Sequence, residues 1–140
     1  EDSNFKEYSL LDTTITKSLL QPIQILYFED DTLKSFHANC FAKSSITGNI
    51  NWNYDNKFNY FIPKSAFSVE KNNINLSDIR RIYKINNKTQ GITKVFFWTN
   101  FLGRSSRDAF KQIVDNIKLS SVDNINIIAI NTDYSFINSD

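Results

Sequence analysis

The sequence predicts a mainly β fold, in which about seven short strands form a small barrel and one C-terminal α-helix plugs it. Short apolar and aromatic runs are separated by turn-forming residues at intervals of roughly 8–12 residues, a spacing typical of barrels and sandwiches. The single segment with clear helical periodicity follows the strands instead of alternating with them, which argues against a parallel βαβ sheet. At 140 residues, the chain is long enough for one sizeable core.

The clearest strand prediction covers residues 92–99, where side chains alternate with period two. Val95 and Phe97 fall on one face of this strand. Phe96 and Trp98 fall on the other face. The remaining predicted strands and short strand pieces are residues 23–28, 35–43, 49–54, 58–62, 66–69, 74–76 and 80–85.

One helix is predicted over residues 105–118, near the end of the strand region. Ser106 is a favourable N-cap, and Asp108 lies in the first turn, where the helix dipole favours an acid. Apolar residues recur at i, i+3, i+4 and i+7, which predicts one buried stripe. This stripe consists of Phe110, Ile113, Val114 and Ile117.

The predicted domain occupies residues 22–120. Residues 1–21 form a poorly defined N-terminal extension. Residues 121–140 form a C-terminal extension, in which 125–130 is an apolar candidate for an extra strand.

The net charge of +1 conceals an asymmetry along the chain. Residues 1–33 carry seven acidic and two basic side chains, a net charge of −5. Residues 80–118 carry nine basic and two acidic side chains, a net charge of +7. A cationic half of this kind indicates an anionic partner, such as a membrane surface or an acidic protein. A solvated surface of mixed charge is the alternative interpretation.

Several classes of protein are disfavoured by the sequence. The only cysteine, Cys40, cannot form an internal disulfide, which favours a reducing, cytoplasmic compartment. No apolar run approaches the roughly 20 residues of a transmembrane helix, so we expect no transmembrane segment. With one histidine and no G-x-S-x-G, P-loop or H-E-x-x-H motif, we expect neither catalysis, nor a cofactor, nor a metal site.

Four segments taken in order resemble a known family. They are LKSFHANCFA (33–42) after an acidic lead-in, GNINW (48–52), INLSDIRRIYK (74–84) and FFWTNFLGRSSRDAFKQI (96–113). Their order and spacing over residues 23–118 resemble a GRAM domain, a member of the pleckstrin-homology-like superfamily. The resemblance implies a partly open, seven-stranded antiparallel barrel capped by the helix. It also implies either binding of phosphoinositides and other anionic lipids or a role as a protein-interaction platform.

The first candidate lipid-binding residues lie on the predicted strand 80–85 and the loop after it. They are Arg80, Arg81, Lys84 and Lys88. Strand alternation would place Arg80 and Lys84 on one side and Arg81 on the other, so the set would not converge on one ligand. Each basic residue near an anionic bilayer contributes about 1 kcal/mol, which predicts weak docking. The alternative interpretation is an ordinary solvated strand edge.

The other candidates come from the family resemblance, in which basic residues on the first strands and their connecting loop hold phosphate groups. Lys34 and Lys43 occupy such positions, and Arg104 completes the candidate set. We expect His37 to be a surface or half-buried residue and not a ligand or base. Core filling explains the aromatic strand around Trp98 better than base stacking does, so a nucleic-acid partner is disfavoured.

Two hypotheses follow from the sequence. In the first, the domain is non-catalytic and targets its parent protein to membranes as a peripheral module, through weak binding of phosphoinositide or phosphatidylserine. In the second, the same fold is a protein-interaction or scaffold module without lipid binding.

Overall fold

The computed structural model describes residues 3–12, 20–38, 50–87 and 90–133. The second half of the predicted strand 35–43 lies outside these residues. The strands are β1 Gln24–Glu29, β2 Thr32–Ala38, β3 Phe67–Ser68, β4 Ile92–Trp98 and β5 Asn126–Asn131. The helices are α1 Ser3–Ser9, α2 Leu76–Ile82 and α3 Gly103–Ser120, with a 3₁₀ segment at Tyr54–Asn59.

The five strands form one mixed sheet in the order β3-β2-β1-β4-β5. β1 pairs antiparallel with β2 in a hairpin and antiparallel with β4 on its other side. β3 is a two-residue antiparallel addition to β2. β4 and β5 run parallel, and α3 connects them. The end of the sheet therefore contains a βαβ unit, contrary to the expectation that the order of the elements argues against a parallel βαβ sheet.

The structure confirms a β-rich fold with a long C-terminal helix, but the described strands form an open sheet and not a closed barrel. Three predicted strands are wrong, and so is the short strand piece 74–76, because α2 begins at Leu76. Residues 50–53 have no regular structure, 58–62 run from the 3₁₀ segment into bends, and 80–85 belong to α2 and its C-terminal turn. The sheet stays open because each of its faces is apolar and is covered by a different helical layer.

We call the side of the sheet that packs against α1 and α2 the α2 face. Leu26 and Phe28 of β1 and Val95 and Phe97 of β4 supply its centre. The buried side chains of this core are Phe5, Tyr8, Leu26, Phe28, Leu33, Phe36, Ile74, Leu76, Ile79, Ile82, Val95, Phe97 and Ile130. The described part of the N-terminal extension and β5 thus share a core with the central strands.

We call the opposite side of the sheet the α3 face. Its buried core consists of Ile23, Ile25, Tyr27, Ile50, Phe96, Ala109 and Ile113. The alternation predicted for β4 is therefore confirmed, because Phe96 packs here while Val95 and Phe97 pack on the α2 face.

The predicted helix is present as α3, but its start differs from the prediction. Leu102 is the N-cap, and Ser106 lies one turn inside the helix. The Ser106 hydroxyl donates to the backbone oxygen of Thr99 (2.7 Å) and accepts from the backbone N–H of Thr99 (3.1 Å). Ser106 therefore fastens α3 to the end of β4. Phe110 of the predicted buried stripe is 49% exposed.

Candidate functional site

The candidate site is a groove beside α2 with a volume of about 670 Å³. We call it the basic groove, because three of the described residues that line it are cationic. It is lined by Ser77, Arg80, Arg81, Lys84, Ile85, Asn86 and Gln90. Helix α2 exists because Leu76, Ile79 and Ile82 recur at helical spacing and are all buried on the α2 face. Burying that stripe leaves the charged residues between its members on the other sides of the helix, where Arg81 is exposed and Arg80 is partly buried.

The hairpin turn between β1 and β2 positions both sides of the basic groove. The Asp31 carboxylate accepts hydrogen bonds from the N–H (2.7 Å) and hydroxyl (3.0 Å) of Ser77. The Asp31 carboxylate therefore lies at the first turn of α2. There it accepts from a backbone N–H that has no partner within the helix, and its negative charge complements the helix dipole. The Asp30 carboxylate accepts from the N–H of Gly91 (2.9 Å), which fixes the chain next to Gln90.

The C-terminus of α2 ends in a Schellman motif that places Lys84 beside the arginines. The N–H of Ile85 donates to the backbone oxygen of Arg80 (2.9 Å), and that of Lys84 donates to the oxygen of Arg81 (3.4 Å). Lys84 has φ of 55°, in the left-handed region that glycine usually occupies at this position. The chain thus stops the helix with a lysine where a glycine would be conformationally easier.

Replacing Lys84 with glycine should raise the free energy of unfolding by about 0.5–1 kcal/mol, because glycine removes the left-handed penalty at some cost in chain entropy. Lys84→Ala is the matched control, since it removes the same charge and keeps the penalty. Urea unfolding of both variants checks this. A glycine variant no more stable than the alanine variant would show that the φ of Lys84 carries no strain.

Acidic residues partly neutralise the basic groove. Arg81 donates from Nη1 to Glu7 Oε1 (2.7 Å), and its Nη2 lies 3.6 Å from Asp78 Oδ1. The hydrogen bond to Glu7 is the main cause of a raised pKa at Arg81. Both members of the Arg81–Glu7 pair are about half exposed, and such pairs exchange readily with water and with other ions.

The structure unites some of the predicted site residues and separates others. Arg80, Arg81 and Lys84 line one groove, so the prediction that strand alternation keeps them apart is wrong. Lys34 lies on β2 and pairs with Glu29 at 3.8 Å. Arg104 lies in the first turn of α3, the helix that covers the opposite face of the sheet. Two further candidates, Lys43 and Lys88, lie outside the described residues.

One residue of the basic segment, Lys94, is buried and adds nothing to the surface charge. Its Nζ donates to Asn116 Oδ1 (2.6 Å) on α3. Asn116 in turn donates from Nδ2 to the backbone oxygens of Phe58 (3.0 Å) and Tyr60 (3.1 Å). Burial lowers the pKa of Lys94 to about 7. Sequence analysis missed this role, although Lys94 has the same strand parity as Phe96 and Trp98.

His37 is also buried, contrary to the expectation of a surface or half-buried position. Its Nδ1 lies 2.8 Å from Tyr27 Oη and its Nε2 lies 3.0 Å from Ser65 Oγ. Its ring stacks on Trp52 with centroids 4.6 Å apart and planes 7° apart. Burial lowers the pKa of His37 to about 3, so the imidazole is neutral and weakly basic at pH 7. These contacts join the sheet to residues 50–66 of the same face.

At the carboxyl ends of β4 and β5, the carboxylate of Asp133 accepts several hydrogen bonds from residues just after β4. Its carboxylate accepts from the Thr99 hydroxyl (2.6 Å), the Asn100 N–H (2.6 Å) and the Asn100 side-chain amide (2.8 Å). These bonds, that from Thr99 above all, lower the pKa of Asp133 to about 2. Because its oxygens are already occupied by donors, Asp133 is suited to holding the two strand ends together. The described residues contain no cluster of potential metal ligands.

Comparisons with protein-family models, curated proteins and solved structures gave no match. The resemblance to a GRAM domain therefore stays a prediction, and function has to be argued from the geometry. In the described part of the chain, no helix is both long and apolar enough to cross a bilayer.

Proposed function

We propose that this domain is a non-catalytic module that docks its parent protein on anionic membranes through the basic groove. The observation that carries this proposal is the convergence of Arg80, Arg81 and Lys84 on a single groove. Helical spacing and the turn that ends α2 bring Lys84 close to both Arg80 and Arg81, four and three residues earlier, whereas a strand would have placed Arg81 on the side opposite Arg80 and Lys84. The ligands are anionic lipids, phosphatidylserine and phosphoinositides, the class that the resemblance to a GRAM domain implies.

Binding through three cations would be weak and reversible. Juxtaposed basic residues attract an anionic bilayer over about one Debye length, which is roughly 10 Å at 0.1 M salt. The ion pairs of Arg81 with Glu7 and Asp78 reduce the net attraction further. Such a module therefore suits transient targeting, in which a second contact made by the parent protein adds to the affinity.

Vesicle co-sedimentation tests this proposal. The domain should bind phosphatidylcholine vesicles that contain phosphatidylserine or a phosphoinositide, and pure phosphatidylcholine vesicles only weakly. The variant Arg80→Gln/Arg81→Gln/Lys84→Gln should lose most of this binding, and raising salt to several hundred millimolar should do the same.

Glu7→Gln should strengthen binding severalfold, because it removes the ion-pair partner that competes with lipid for Arg81.

A matched control separates the groove from net charge alone. The variant Arg104→Gln/Lys111→Gln/Lys118→Gln also removes three positive charges, but from α3, on the other side of the sheet. Equal losses in the two triple variants would mean that overall charge drives adsorption and would contradict a site at the basic groove. Absence of binding to every anionic vesicle at low salt would reject membrane docking.

A specific observation also favours the alternative, a protein-interaction module. Among the described strands, β5 is an edge strand, paired with β4 on one side, and its sequence NIIAIN is largely apolar. Ile127 on this strand is 43% exposed. Open apolar edges are templates for a strand from another chain. A concentration-dependent oligomer or a recovered protein partner, together with no vesicle binding, would support this alternative.

A further inference from the structure

An apolar cleft of about 430 Å³ lies on the α3 face, between α3 and the strands β4 and β5. Its lining residues are Phe96, Trp98, Ser106, Arg107, Phe110 and Ala129. The Phe96 and Phe110 rings have centroids 6.2 Å apart and form one wall. Phe110 is 49% exposed, so a large aromatic surface is left in contact with water. The volume falls in the range of roughly 300–1,000 Å³ that is usual for small-molecule sites.

The polar groups of the cleft point to one kind of ligand. The Ser106 hydroxyl already donates to the backbone oxygen of Thr99 and accepts from its N–H, so its proton is not available to a ligand. Among the described residues that line the cleft, Arg107 is the only charged one. It is exposed, and it forms no salt bridge with another described residue. Arg104 and Lys111 lie three and four residues away on the same helix flank and add positive charge.

We propose that this cleft binds a free single-chain carboxylate amphiphile, such as a medium- or long-chain fatty acid. The tail occupies the aromatic and alanine surface of the cleft, and the carboxylate pairs with the guanidinium of Arg107. Arginine favours carboxylates because its planar fork makes two parallel hydrogen bonds to them. The concave apolar lining, with cationic charge at one residue, fits an apolar tail with one anionic end better than it fits a uniformly charged or uncharged ligand.

This site is separate from the membrane-docking groove. The cleft lies on the α3 face, whereas α2 with its basic groove covers the α2 face. Vesicle docking and fatty-acid binding would therefore fail independently, and each has its own variants.

Isothermal titration with dodecanoate, kept below its micelle concentration, tests the proposal. Dodecyltrimethylammonium, with the same tail and a cationic head, and acetate, with the same head and no tail, are the comparison ligands. Dodecanoate should bind, and both comparison ligands should bind at least about tenfold more weakly, the factor that 1.4 kcal/mol represents. Binding of the cationic amphiphile as tightly as dodecanoate would overturn the proposal.

Two variants locate the binding. Arg107→Gln should weaken dodecanoate about tenfold, since it removes the charged partner of the carboxylate. Ala129→Phe should abolish binding, because a ring at this exposed strand position fills the cleft without entering the core. Lys118→Gln, near the far end of α3, is the matched control and should leave binding unchanged.

Other occupants of the cleft give distinct results. Undiminished dodecanoate binding in both cleft variants would overturn the proposal. A dimer in sedimentation velocity that Ala129→Phe abolishes would also overturn it, by showing that a second copy of the chain covers the cleft. Thermal melts of each variant verify that the fold is retained, and Arg107→Gln, an exposed substitution, remains informative if Ala129→Phe fails to fold.

Discussion

Raising the pH from about 7 to about 10 should stabilise the fold by up to about 1.4 kcal/mol per pH unit, because of the buried amine of Lys94. Burial lowers the pKa of Lys94 from 10.5 to about 7 in the folded state. Between these values, the unfolded chain binds a proton that the folded chain does not. The free energy of unfolding therefore rises with pH across this window and is insensitive to Lys94 below it.

Above pH 10 the slope should reverse. Burial raises the pKa of Tyr8 and Tyr27 well above the ordinary value of 10.0. The unfolded chain then loses phenolic protons that the folded chain keeps, so the free energy of unfolding falls as the pH rises. We therefore expect a stability maximum near pH 10.

Substituting Lys94 with methionine should flatten the rise between pH 7 and 10. Methionine fills a similar volume without an ionisable group, although Asn116 then loses its hydrogen-bond donor. Urea unfolding at each pH gives the slope, with Lys118→Met as a control that removes an exposed amine from α3. An unchanged slope in Lys94→Met would show that Lys94 remains protonated in the folded protein.

Replacing Tyr8 with alanine should lower the free energy of unfolding by about 3–5 kcal/mol, the range for large aromatic residues in a core. The Tyr8 ring is fully buried and stacks on Phe97 with centroids 4.7 Å apart. Its hydroxyl donates to Gln24 Oε1 (2.6 Å), an atom that truncation would leave in the core without this donor. Both the lost packing and the lost hydrogen bond act in the same direction.

Tyr8→Phe separates these two contributions, since it keeps the ring and removes the hydroxyl, for an expected loss of about 1–2 kcal/mol. Leu10→Ala is the matched control in the same segment, because Leu10 is 61% exposed and should change stability by less than about 0.5 kcal/mol. Urea unfolding measures all three. A Tyr8→Ala variant as stable as Leu10→Ala would mean that α1 does not contribute to the core.

The elements with strong periodicity were predictable from the sequence. The alternation of Val95, Phe96 and Phe97 identified β4, and the i, i+3, i+4, i+7 spacing identified α3. The segment Arg80–Ile85 also fits period two over a few residues, so the sequence predicts a strand where the structure has the end of α2 and its C-terminal turn. A helical signal is nevertheless present, since Leu76, Ile79 and Ile82 recur every three residues and the first turn contains the acidic Asp78.

The helical geometry of α2 alters the arrangement of the candidate site. Arg80, Arg81 and Lys84 were identified from the sequence, but their convergence depends on helical geometry. The apolar cleft could not be predicted from the sequence. It lies between α3, β4 and β5, and its shape depends on how these three elements pack together. Core filling was the better sequence interpretation of Phe96, and it is right for that residue, while Phe110 is left half-exposed.

By itself, the sequence determined where the periodic elements lie and which residues carry the positive charge, because both are local properties of neighbouring residues. Only the tertiary structure decided that the sheet is open and mixed, that Lys94 is inside, and that three cations share one groove. The physical reason is that these features depend on which faces pack together. Which elements pack together is set by the burial of both faces of the sheet under separate helical layers. The spacing of residues along the chain does not specify that packing.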